Sequence, residues 1–215
     1  MNVALCQINT TVGDFENNRR KIMDYYQEAV KKGAGLVVFP EMSVTGYPPQ
    51  DLLDNRSFIR KNDEIRTDLI AESGEAYLVF GYVRTNERTL HNSVMVAKNG
   101  KEIAFYDKIL LPMYDVFDEH RYFRPGKSAE PIELQFGNRS VKVGFQICED
   151  LWDADYDQKV TDESVTAGAE VIINISASPF SMGKRFERQE LIQNKVNSLG
   201  VPFIYCNLVG AQDEL

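Results

Sequence analysis

Apolar runs too short for helices recur along this chain and alternate with longer amphipathic stretches. The runs are residues 2–9, "LVVFP" (36–40), "YLVFGYV" (77–83), 131–136, 140–147, "VIINIS" (171–176) and "PFIYCN" (202–207). Between the first two, "DFENNRRKIMDYYQEAVKKG" sets Ile22, Tyr25 or Tyr26, Ala29 and Val30 on one helical face. Its acids come early, its lysines late, and Gly33 is the stop. Further helices are expected over 55–72, carrying Phe58, Ile59, Ile65, Leu69 and Ile70, near 156–168, and over 184–199. "NSVMVAKNGKEIAFYDK" holds two β-like runs around Asn99-Gly100, a pair that favours a tight hairpin. Strands alternating with helices, plus one antiparallel hairpin, predict α/β layers: helices outside a mixed sheet or a pair of sheets. No repeat or linker divides the 215 residues, a length that suits one large domain.

Several classes of function are excluded early. A net charge of −8 argues against nucleic acid or an anionic membrane as partner. No apolar run approaches the about 20 residues that span a bilayer. "MNVALCQINTTVGDFENN" lacks the basic start and long apolar core of a secretory signal, so a cytoplasmic location is expected. Three cysteines without CxxC spacing fit a reducing compartment and offer neither a zinc nor a disulfide framework. Cys6 and Cys206, inside apolar runs, read as core. His91 and His120 lie far apart and in no motif, so no metal centre is expected. Neither a P-loop nor a GxGxxG fingerprint occurs.

Three reactive groups stand directly after strands. Glu41 follows "LVVFP", Lys108 follows "EIAFYD", and Cys148 follows "VKVGFQI". The carboxyl ends of strands in α/β sheets converge on a ligand crevice, so residues this far apart in sequence can meet. Carboxylates beside a thiol hold its proton on. Glu149 and Asp150 after Cys148 therefore call for a cation elsewhere. Lys108 would favour the thiolate, and Glu41 would remove and return the proton. Around 108–127 runs a long loop whose aromatics, Tyr114, Phe117, Tyr122 and Phe123, argue for order.

"FPEMSVTGYPPQDLL", "DKILLPMYDVFDEHRYFRPG" and "GFQICEDLW" resemble the three signature segments of the nitrilase, or carbon–nitrogen hydrolase, superfamily with its Glu–Lys–Cys triad. "TVGDFENN", "GYPPQDLL", "YDVFDEHRYFRPG", "ISASPFSMGKR" and "NLVGAQDEL" are similar to one branch, the glutaminase domains of glutamine-dependent NAD synthetases. The resemblance runs from residue 2 to the last. It implies an αββα sandwich of two mixed sheets flanked by helices, packed into homo-oligomers. It also places further strands after "QDEL", so the sandwich is expected to lack its last strands here.

The resemblance implies that residues 1–215 form a glutamine amidohydrolase domain releasing ammonia through a cysteine thioester. The ammonia would pass to a C-terminal synthetase domain, absent from this chain, that makes NAD from nicotinic acid adenine dinucleotide. ATP and magnesium belong to that domain, and none is implied as cofactor here. Catalytic roles fall on Glu41, Lys108, Cys148 and a second glutamate, Glu119, with Asp118 as the fallback. Glutamine carries both charges, so Glu149 is expected to meet its ammonium, while Tyr114, and less directly Tyr47 and Trp152, either wall the pocket or pack in the core. Lys184 and Arg185 at a helix N-terminus, where cations are disfavoured, with Ser176 and Ser178 upstream, suggest an anion-binding corner for the carboxylate. Either basic residue could make that contact, or both are plain surface. Two alternatives stand beside this reading: a stand-alone amidase, nitrilase or carbamoylase of the superfamily, and a non-catalytic interaction module on the same fold.

Overall fold

The computed structural model describes residues 2–212. Two mixed sheets stack face to face with helices outside. The first sheet has the order β1 (Val3–Leu5), β2 (Leu36–Val38), β3 (Tyr77–Asn86), β4 (Thr89–Lys98) and β5 (Lys101–Asp107). Its first three strands are parallel and its last two antiparallel. The second has β6 (Ile132–Phe136), β7 (Arg139–Ile147), β8 (Val171–Ser176) and β9 (Phe203–Asn207), with β7, β8 and β9 parallel. Helices α1 (Phe15–Lys31) and α2 (Arg56–Glu72) cover the first sheet, and α4 (Val160–Thr166) packs on β7 with α5 (Lys184–Leu199) beside it. A single turn of helix, α3 (Glu119–Tyr122), interrupts the long loop.

Period-two alternation builds the layers. In β2, β3 and β4, Leu36, Val38, Val79, Val94 and Val96 point between the sheets and meet Leu134, Val143, Ile147, Ile173 and Ile175. Their neighbours Val37, Leu78, Phe80 and Met95 point outward onto Ile22, Tyr26, Ile65 and Leu69 of α1 and α2. Each of these side chains, fully buried, contributes roughly 1.5–3 kcal/mol. The inner strands are buried on both faces, which is why they read as continuous apolar runs.

Several expectations change at the edges. Tyr26, not Tyr25, faces the core, and Tyr25 and Val30 are exposed. The first strand stops at Leu5 rather than residue 9, because the strand it pairs with, β2, ends at Val38. Beyond it Cys6 and Ile8 stay buried without a ladder. β3 and β4 form a hairpin reaching to Asn86 and Thr89, whose polar tip hid it from an apolar pattern. The second hairpin turns at Asn99 and Gly100, with φ of 52° and 72°, the left-handed pair such a turn demands. The helix expected from 156 begins only at Val160. Ahead of it Asp153–Asp155 form a separate 3-10 turn, and the Lys159 ammonium donates to the carbonyls of Asp153, Ala154 and Tyr156. Helix α5 keeps its expected bounds but buries no residue fully; Leu191, Ile192, Val196 and Leu199 are half-covered.

Candidate active site

Three strand ends, two from one sheet and one from the other, meet at the same edge of the sandwich. Glu41 leaves β2 in a tight turn whose next residue, Met42, has a left-handed φ of 45°. Gly81 of β3 lets this turn lie flat on the sheet, since a Cβ there would stand 2.3 Å from the Met42 nitrogen. Lys108 follows β5, with its N–H donated to the Asn92 carbonyl of β4 at 2.8 Å. Cys148 follows β7 at φ 43°, a conformation that costs a non-glycine residue about 1–2 kcal/mol and turns the chain sharply into a 3-10 turn, Cys148–Leu151.

The Lys108 ammonium is wholly buried and donates to Glu41 Oε1 at 2.9 Å and Glu119 Oε1 at 2.7 Å. Burial pulls its pKa down, but Glu119 and Glu41 outweigh that and hold it well above the ordinary lysine value, so it stays an ammonium. Each carboxylate has further donors. Glu41 Oε1 accepts from Asn92 Nδ2 at 2.7 Å and its Oε2 from the Ala177 N–H at 2.8 Å. Glu119 accepts from the Tyr47 hydroxyl at 2.8 Å and, on its other oxygen, from Asn92 Nδ2 at 3.4 Å. Burial nevertheless raises the Glu119 pKa, with Lys108 opposing.

Lys108 does pull Cys148 toward the thiolate, as expected, but other groups outweigh it. Burial first, then Glu41, raise the thiol pKa well above its ordinary value; Lys108 lowers it, and Glu119 and Glu149 raise it further. One ammonium already shared by two carboxylates has little field left for the sulfur. Burial and the acids thus favour the protonated thiol, whose proton leaves as the sulfur attacks.

Cys148 opens onto a hollow of about 290 Å³, whose lining includes Tyr114, Phe117, Glu149, Trp152, Ser178 and Lys184. Glu149 is buried and accepts from the Tyr114 hydroxyl at 2.8 Å and the Tyr156 hydroxyl at 3.0 Å. Lys184 reaches over the Trp152 ring, 4.1 Å from its centre. The wall therefore carries a carboxylate and an ammonium. Arg185 does not line it but faces a neighbouring hollow with Arg188 and Tyr205. Ser178 stands at the rim, its hydroxyl accepting from Arg188. Ser176 is placed otherwise than expected: fully buried, on the helix-facing side of β8, with its hydroxyl donated to Asn174. Tyr47 is likewise not part of this hollow: it lines a separate one with Pro48, Phe117 and Glu119, its hydroxyl donated to Glu119. Asp118 points outward, half exposed, beside Arg121. Cys6 and Cys206 are buried, and burial raises both thiols, Cys6 to about 11.

The sequence from residue 2 to 215 matches the family model described as carbon-nitrogen hydrolase. The chain belongs to that family. Among relatives of this carbon–nitrogen hydrolase, the glutamine-dependent NAD(+) synthetase of Thermotoga maritima is 38% identical across the whole chain, which covers 36% of that protein. The synthetase of the same name from Synechocystis is 36% identical over 99% of the chain and 40% of its own length. The chain thus spans well under half the length of these relatives. In structure it is similar to the glutamine-dependent NAD+ synthetase of Acinetobacter baumannii, with a TM-score of 0.87, 30% identity, and coverage of 98% of this chain and 39% of the other. An amidase from Nesterenkonia sp. shares the fold at 22% identity, with a TM-score of 0.82, over 98% of this chain and 77% of its own.

Sequence reasoning passed over two residues of this carbon–nitrogen hydrolase that hold the cluster together. Asn92 touches both glutamates, and the visible signal was a polar amide inside the apolar run "NSVMV", where strands disfavour asparagine. Asp150 accepts the N–H groups of Ile109, Leu110 and Ile147 and the Tyr106 hydroxyl, at 2.7–3.1 Å. It ties the segment after Lys108 to the residue before Cys148.

Proposed function

We propose that residues 1–215 are a glutamine amidohydrolase domain that supplies ammonia to a C-terminal, ATP-dependent synthetase completing NAD from nicotinic acid adenine dinucleotide. The observation that carries this reading is a buried ammonium clamped by two carboxylates behind Cys148, which itself opens onto a hollow walled by one charge of each sign. Such a wall suits an α-amino acid amide. Glu149, held by Tyr114 and Tyr156, faces the α-ammonium; Lys184, the basic side chain lining the hollow, takes the α-carboxylate.

The chemistry follows from the donors. As the Cys148 sulfur bonds to the amide carbon, its proton passes to Glu41 and the carbonyl oxygen becomes an oxyanion. The Lys108 ammonium holds that oxygen, a preorganised contact worth on the order of 3–4 kcal/mol. Glu41 then gives its proton to the nitrogen, the C–N bond breaks, and ammonia leaves a thioester. Water attacks the thioester while Glu41 takes its proton; the C–S bond breaks, and Glu41 returns that proton to the sulfur. Glutamine and water have become glutamate and ammonia. Glu119 keeps Lys108 charged and aimed throughout.

No cofactor enters these steps, and ATP and magnesium are assigned to the synthetase. Among the described residues no group of three His, Cys, Asp or Glu side chains could hold a metal ion, and no helix is long and apolar enough to cross a membrane. A cytoplasmic homo-oligomer is part of the same reading. An electrophilic glutamine analogue should add to Cys148 and shift its peptide mass, and Cys148→Ala should release no ammonia. Undiminished release by that variant refutes the proposal. The fold shared with an amidase supports a stand-alone amide hydrolase as the second reading, and a panel of aliphatic amides, nitriles and N-carbamoyl compounds tested against glutamine separates the two.

A further inference from the structure

Around Lys108 the charges do not balance. Glu41 from the turn after β2, Glu119 from α3, and Glu149 and Asp150 from the turn after β7 are four buried carboxylates, against one buried ammonium. The other titratable groups facing the cluster are the Cys148 thiol and the phenols of Tyr47, Tyr106, Tyr114 and Tyr156, all raised by burial and by these acids, so none adds positive charge. Yet the reaction requires Glu41, specifically, to be ionised at rest and able to accept a proton. The remaining counter-charge comes from neutral donors. Two reach Glu41: the Ala177 N–H on one oxygen and the Asn92 amide on the oxygen that Lys108 also touches.

The Asn92 amide lies 2.7 Å from Glu41 and 3.4 Å from Glu119, whereas Lys108 lies closer to Glu119 than to Glu41. Lys108 thus favours Glu119, and Asn92 redresses the balance toward Glu41. Its orientation is forced, since the flipped amide would set an oxygen against two carboxylates. The side chain bears a cost for this: its own Oδ1 is buried and has no hydrogen-bond partner among the described residues. A buried amide half satisfied in a strand where asparagine is disfavoured is retained for what its NH2 does.

We infer that Asn92 is a positioning residue that divides its two amide hydrogens unequally between the glutamates and so keeps Glu41, rather than Glu119, as the ionised base. This rests on the amidohydrolase reading. Hydrogen bonds to a carboxylate favour its charged form. Removing the 2.7 Å donor withdraws that support, and the acid limb of reactivity moves up in pH.

The test is the pH dependence of Cys148 inactivation by an electrophilic glutamine analogue in the full-length protein, with thermal melting as the control for folding. Asn92→Ala should move the acid limb up in pH. Asn92→Ser, which keeps one hydroxyl donor, should move it less, and Asn92→Asp, which adds a carboxylate, should move it more. If Asn92→Ala fails to fold, the order of wild type, Ser and Asp decides. An unmoved limb in folded variants, with only a uniform loss of rate, would mean a purely structural asparagine and overturn the inference. A wild type in which Cys148 is never labelled, or is labelled with no acid limb, instead removes the amidohydrolase reading or Glu41 as its base.

Discussion

Gly81→Ala is the sharpest probe of how the site is held, because one methyl group acts on the base without touching it. Gly81 needs no left-handed backbone, so alanine has no conformational objection there; the obstacle is contact alone. The new Cβ would fall 2.3 Å from Met42 N, 2.6 Å from Pro40 O and 2.7 Å from Glu41 C, and all three are main-chain atoms that cannot rotate away. To restore ordinary contact the turn bearing Glu41 must lift by about 1 Å. Misplacement on that scale costs on the order of 10²-fold in rate. Overpacking itself should cost about 1–3 kcal/mol, lowering Tm by roughly 2–12 °C for a domain of this size. The assay is ammonia release at saturating glutamine alongside thermal melting. Glutamine binding should survive better than turnover, because Glu149 and Lys184 stand on other elements. A variant with wild-type kcat and Tm would show that Gly81 does not set the position of Glu41, and the steric argument would fall.

Four further outcomes are expected. Lys184→Ala should raise KM for glutamine about 10–100-fold, the worth of one charged hydrogen bond, while Arg185→Ala leaves it within about twofold; steady-state kinetics decides. Glu149→Gln keeps partners for the Tyr114 and Tyr156 hydroxyls but removes the charge, so preference for glutamine over its des-amino analogue should shrink by about tenfold in kcat/KM. Burial raises the Asp150 carboxyl from 3.8 to about 6 despite its four donors. Its stabilising contribution is then present below its ordinary value and lost as pH rises through about 6. The melting advantage of wild type over Asp150→Asn should accordingly be larger at about pH 5 than at about pH 8.

What the sequence revealed, and what it hid, divides along the range of the interactions involved. The bounds of α5 and the turn at Asn99-Gly100 were legible because local rules set them: capping glycines at 183 and 200, and two left-handed residues in a row. Glu41, Lys108 and Cys148 could be singled out because each stands where an apolar run stops, and the structure does bring Lys108 onto Glu41. Tyr25 against Tyr26 was not decidable from spacing, since both lie near the apolar stripe and only the sheet beneath chooses. The reach of Asn92 to Glu41 spans 51 positions, and that of Asp150 to Ile109 spans 41. No local pattern encodes such partners. The pull of Lys108 on the thiol was legible, but the stronger opposing effects were not, because burial and the acids that share that cation are set by the fold.

Asp150 grips the loop of one sheet and the strand end of the other, and so makes the reacting geometry a property of the gap between two layers. Thickening that interior, for example Val94→Ile or Val143→Ile far from any substrate, would push sulfur and ammonium apart and show up as slower turnover before any loss of folding. In such an architecture the filling between the plates is itself part of the catalytic tolerance.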